Sequence, residues 1–168
     1  PAPKAGGAGT PVRIVWNKAM TYNGKALLAT FTDEVHATLL GKEDQHSELT
    51  CDDGLTVKLA GSGSPTAGVG GPGKVGLAQI IANGHVRAEG STLAKDGKPI
   101  TRLYLEAPRL TYAEATHTLE IPGAGNMLLE DFRTAGNTKA GSRGQTAIAW
   151  KGGLAYVGAT GESSFEKY

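Results

Sequence analysis

Three adjacent carboxylate pairs, Asp33-Glu34, Asp52-Asp53 and Glu130-Asp131, are the first residues here whose types could do acid–base chemistry. Such work requires both groups to reach one substrate atom. Neighbours on a strand point to opposite faces, so these pairs do not converge; Asp52-Asp53 reads instead as turn chemistry. The four histidines, His36, His46, His85 and His117, are scattered and have no His or Cys partner at ligand spacing, so no metal is expected. Cys51, the single cysteine, is followed by two aspartates, which raise a thiol pKa, so it reads as a buried structural residue. The stretch GVGGPGK, Gly68–Lys74, has the glycine spacing of a phosphate-binding loop. Val75 stands where that loop needs Ser or Thr, Pro72 stiffens it, and LAQIIANG downstream reads as strand. No GxSxG elbow is present. The expectation is a non-enzyme without cofactor.

The elements that would position any site are written in a repeating phrase. MTY at Met20–Tyr22, LTV at Leu55–Val57, LTY at Leu110–Tyr112 and LAY at Leu154–Tyr156 are separated by steps of 35, 55 and 44 residues. VWNKAMTY and AWKGGLAY also share a tryptophan, Trp16 and Trp150. A loose period of about forty residues suggests that each copy is one layer of a stacked sheet. Around the phrases, apolar residues alternate. Leu49, Cys51, Leu55, Val57 and Leu59 share one face, with a bend at Asp53-Gly54; Ile80, Ala82, Gly84, Val86 and Ala88 share another. In LLATFTDEVHATL, Leu27, Phe31, Val35 and Leu39 recur every fourth residue, which fits a helix or one face of a strand. The threonines opposite favour strand. Further strands are expected near Met127–Arg133 and over Thr146–Tyr156.

Composition agrees with many short strands: 39% of 168 residues are hydrophobic, 6% aromatic, and 25 are glycine. The length suits one domain. Residues 1–11 read as a Pro/Gly/Ala-rich linker, 12–168 as the domain, and 61–76 as a glycine-rich loop insert. A net charge of +1 does not point to nucleic acid. No run of eighteen apolar residues exists to span a membrane as a helix. The chain opens PAPKAGGAGT without methionine or a basic-then-apolar leader, as a segment of a longer protein would.

The segments ATFTDEVHA, ELTCDDGLTVKLAG, IIANGHVRA and LEAPRLTYAEATHTLEIPG resemble the LptA-like or OstA-like family of lipopolysaccharide-transport proteins. The resemblance runs from Val12 to Tyr168 and rests on Leu55, Val57, Gly84, Val86, Leu110, Tyr112, Leu119 and Ile121. Asp33 stands where that family usually has glycine, and the insert 61–76 has no counterpart. The resemblance implies an all-β antiparallel jelly roll, a folded and stacked sheet of about four loose repeats. It implies a periplasmic or envelope protein that shields or transports lipid acyl chains in an apolar groove. It also implies stacking with similar β-jelly-roll domains through edge strands, here Val12–Trp16 and the segment near Glu162–Tyr168. Candidate groove or core positions are Phe31, Val35, Leu55, Val57, Val86, Leu110, Tyr112, Leu119 and Ile121. A ligand-free β-solenoid scaffold and a four-bladed propeller remain the alternatives.

Overall fold

A computed structural model describes residues 12–39, 44–61, 75–132, 144–158 and 162–166. It contains thirteen strands and, among the described residues, no helix: β1 Val12–Val15, β2 Ala19–Asn23, β3 Leu28–Thr32, β4 Val35–Leu39, β5 Gln45–Cys51, β6 Gly54–Gly61, β7 Val75–Leu93, β8 Pro99–Ala113, β9 Thr118–Pro122, β10 Gly125–Asp131, β11 Gly144–Trp150, β12 Gly153–Val157 and β13 Glu162–Glu166. All pairings are antiparallel and all strands join one open sheet. A propeller would need separate blades, so that alternative is excluded.

The thirteen strands are better counted as layers. β1 and β2 are two arms of one strand bent at Asn17-Lys18; β3 and β4 are bent at Asp33-Glu34, and β5 and β6 at Asp52-Asp53. β7 and β8 run through the bend unbroken; β9/β10 and β11/β12 are bent again, and β13 is a half layer. The bends stack into a seam that divides the sheet into two walls. The first wall is β1-β4-β5-β7-β8-β10-β11 and the second β2-β3-β6-β7-β8-β9-β12-β13. Successive layers are neighbours in both walls, so the whole fold is an up-and-down meander folded along its midline.

Backbone geometry makes the seam. Asp33 (φ 71°), Glu34 (45°), Gly84 (75°), His85 (41°) and Gly123 (84°) are left-handed, a conformation natural to glycine and tolerated by Asp. The position where the resembling family has glycine therefore has the conformation that glycine favours. A Cβ at Gly84 would lie 2.7 Å from the Asp53 amide nitrogen, so no side chain fits there. The ladder is not lost at the bends: Asn17 N–H donates to Asp33 O (3.0 Å), Asp33 to Asp53 O (3.2 Å), Glu34 to Asp52 O (3.0 Å) and Asp52 to Gly84 O (2.7 Å). Asn17 Nδ2 also donates to Glu34 (2.6 Å), and Lys18 pairs with Asp33 (3.1 Å). In the first three layers both bend residues thus donate to the next layer, although most of these residues are exposed.

The core lines the seam. In most layers the innermost residues flank the bend four apart: Trp16/Met20, Phe31/Val35, Cys51/Leu55, Ala82/Val86 and Trp150/Leu154. A single sheet cannot cover its own side chains, yet Val35, Cys51, Leu55, Ala82, Val86 and Ile121 are at most 1% exposed. The facing wall supplies the missing cover. The fourfold recurrence of Leu27, Phe31, Val35 and Leu39 is therefore a strand folded at Asp33-Glu34, as the threonines suggested. The strand expected near Met127–Arg133 begins two residues earlier, and the one over Thr146–Tyr156 is two arms. Of the insert 61–76, Gly61 ends β6 and Val75-Gly76 begin β7; the intervening residues lie outside those described, as do residues 1–11.

Candidate functional site: the inner apolar face

Strand register arranges the inner face in rows parallel to the seam. In the second wall the innermost row is Met20, Phe31, Leu55, Ala82, Leu110, Ile121 and Leu154, and the next is Tyr22, Ala29, Val57, Ile80, Tyr112, Leu119 and Tyr156. In the first wall the second row is Ile14, Ala37, Leu49, Ala88, Leu105, Met127 and Ile148. Each of these rows is apolar from end to end. The four phrases MTY, LTV, LTY and LAY place their first residue in the innermost row and their third in the next, at equal depth, but they fall in alternate layers (β2, β6, β8 and β12), so a copy does not correspond to one layer.

Burial falls with distance from the seam. The innermost rows are almost wholly buried away from the first layer; Val57, Ile80, Ala88, Tyr112, Leu119, Met127 and Ile148 are half-buried; and Leu103 and Leu129, one row further out, are exposed. Two walls diverging from a hinge give this gradient. The first layer is the exception along the seam: Trp16 is 38% exposed, against 6% for Trp150 at the equivalent place in the seventh layer. The Trp16 ring meets Phe31 of the next layer at 5.0 Å. Trp150 lies across Gly125, whose missing side chain makes the room.

All nine candidate positions lie on this face. Phe31, Val35, Leu55, Val86, Leu110 and Ile121 are in the buried rows next to the seam, and Val57, Tyr112 and Leu119 are in the half-buried row. Leu105, Trp150, Leu154 and Met127 were not singled out, although Leu105 and Met127 follow the same alternation. Tyr112 carries a polar group into its row; its hydroxyl donates to Glu114 (2.8 Å) and lies 3.3 Å from His117 Nδ1. Burial first, then that carboxylate, pushes the phenol above its ordinary pKa.

The outer face of the first wall holds two clusters of charged and histidine side chains. Glu106 accepts from His85 Nε2 (2.8 Å), Arg87 Nε (3.2 Å) and Asn126 (3.4 Å), and these bonds, His85 first, hold its carboxyl below the ordinary range. His36 and His46 come to one carboxylate, Glu48, at 3.5 and 3.0 Å. His36 reaches it on a cross-strand diagonal, whereas His46 stands two residues before it on the same strand. They bracket the carboxylate on different oxygens, and no group of three or more His, Cys, Asp or Glu among the described residues is arranged to hold a metal ion. Cys51 is buried in the seam, and burial before all else raises its pKa. Asp52-Asp53 forms a bend, as expected; Asp33-Glu34 forms the equivalent bend one layer earlier.

No protein-family profile and no curated protein sequence matches the chain. Among solved structures, the fold is similar to that of LptH, the LptA-homologous periplasmic component of the lipopolysaccharide transport device of Pseudomonas aeruginosa. The TM-score is 0.54, with 11% identity over 95% of this chain and 84% of that one. The architecture is thus the LptA-like open β-jelly roll, and at this identity the likeness concerns the fold.

Proposed function

We propose that this domain holds the acyl chains of lipid between its two walls, in the manner of a lipopolysaccharide-transport bridge, and stacks with similar β domains through its open edges. The observation that carries the reading is the inner face: rows spanning the layers, uncharged in the two rows nearest the seam, with burial fading away from the seam. Covering a half-buried apolar row favours any chain of methylenes, at about 0.8 kcal/mol each. A dozen such groups outweigh the exposed ion pairs outside, worth about 0–1 kcal/mol apiece. Among the described residues the one thiol in that face, Cys51, is buried and its pKa is raised, and no acid and base are paired beside it, so the role in this reading is non-catalytic. A periplasmic or envelope site follows from the same reading. Among the described residues no helix is long and apolar enough to cross a membrane.

Native mass spectrometry with lipid extraction of freshly purified protein tests this. A co-purifying acyl lipid, lost in Leu119→Glu while the circular dichroism spectrum is kept, is the expected result. Protein free of lipid would leave the dry scaffold as the better reading.

A further inference from the structure

Five of the large hydrophobic side chains that stand exposed belong to one layer: Val12, Val15, Trp16, Met20 and Tyr22. That layer closes one end of the meander. Among the described residues β1 pairs only with β4 and β2 only with β3, so both carry an open backbone edge. Exposed edges of natural sheets are usually blunted by charge or proline. β2 reads AMTYN and has neither, and β1 has only Arg13.

We propose that this end is a self-association surface, and that a second copy meets it head to head about a twofold axis. The argument is one of strand direction and rests on the edge-stacking reading above. β1 runs towards the seam and β2 away from it. A twofold axis pointing outward from the seam reverses the stacking direction and exchanges the walls, but keeps each strand's sense towards or away from the seam. β1 then meets β2 of the second copy, and β2 meets β1, antiparallel at both edges. A closed, isologous pair results. Head-to-tail stacking of the described strands does not match this. Among the described residues the first wall has seven strands, so β1 and β11 both run towards the seam and would join in parallel. Only the second wall, with eight, would join β13 to β2 antiparallel.

The depth of each residue fixes the register. Trp16 and Met20 flank the bend, so Ile14 comes opposite Tyr22 of the second copy and Val15 opposite Thr21 of the second copy. The apolar rows continue without a step, first wall into second, and the inner face doubles in length. Directly opposed residues lie about 4.5–5.5 Å apart at Cα, within the range a disulfide spans.

The test is oxidative cross-linking of the full chain with sedimentation of the unmodified protein. Val15→Cys/Thr21→Cys is expected to give a covalent dimer, with neither single variant doing so; Cys51 is buried and does not compete. Unmodified protein should sediment at twice the chain mass, and Tyr22→Lys should weaken the pair at least about tenfold. Thr21→Cys/Ser164→Cys reports the other arrangement, since those residues share a row at opposite ends. Cross-linked ladders from that variant would overturn the twofold pair while leaving edge stacking standing. A monomer at the highest soluble concentration would overturn it as well. Lipid co-purification is a separate readout and is untouched by either result.

Discussion

At Gly125 an added methyl would strike the Trp150 indole and lie 2.9 Å from the Glu106 carbonyl oxygen. Gly125→Ala therefore forces a buried ring or a ladder strand to move, which should cost about 1–3 kcal/mol in urea unfolding. An unchanged midpoint would mean that the ring has room elsewhere. Glu106, on the neighbouring strand β8, gives a pH signature. Its folded pKa is depressed from the ordinary 4.5 by hydrogen bonds from His85, Arg87 and Asn126. A depressed carboxylate stabilises fully above its ordinary value, and that contribution disappears as pH falls through the folded value. Unfolding followed from neutral pH down through 4.5 should show stability declining less steeply in Glu106→Gln than in the parent protein. Parallel curves would assign the acid sensitivity to other carboxylates.

The bent strand is the element that defines this fold, and its bends can be tested one at a time. Asp33 tolerates its φ of 71° because it is short and polar. A β-branched residue there should lose about 1–2 kcal/mol, whereas Asp33→Gly should stay within about 0.5 kcal/mol, trading an exposed ion pair for conformational ease. Thermal unfolding of the two variants side by side decides it. The connection between β6 and β7 should be dispensable, because Gly61 pairs directly with Val75 and the ends already lie side by side. Deleting 63–74 and closing the gap with a short turn should barely move the melting temperature; loss of folding would show that this segment carries packing.

Strands and inner-facing residues could be read from alternation, since Val57, Ile80 and Leu119 obey the period of two. The seam could not. Its signal is an apolar pair four apart around two polar residues, as in Phe31 and Val35 around Asp33-Glu34, which on sequence alone equally describes a helix. The consequence was also hidden: a layer folded in half presents two edges, so β2 and β11 are open as well as β1 and β13. Burial along the seam escaped too: Trp16 and Trp150 look equivalent in the sequence, and the glycine across from Trp150, Gly125, comes opposite it only through strand register.

For the molecule as a whole, the meander means that each described layer makes its main contacts with the layers before and after it in sequence. No strand waits for a distant partner, so contact order is low for an all-β chain and folding should be correspondingly fast. Stability should then behave as a chain of nearest-neighbour couplings, like that of a stacked repeat protein. The middle layers β7 and β8, the two longest strands, are coupled on both sides along both walls. Hydrogen exchange should be slowest there and should quicken stepwise outward, reaching its fastest in β1, β2 and β13. Uniform protection from end to end would mean a single cooperative block. With a graded profile, the domain instead unzips from its ends, and whatever caps an end sets how far the fraying travels inward.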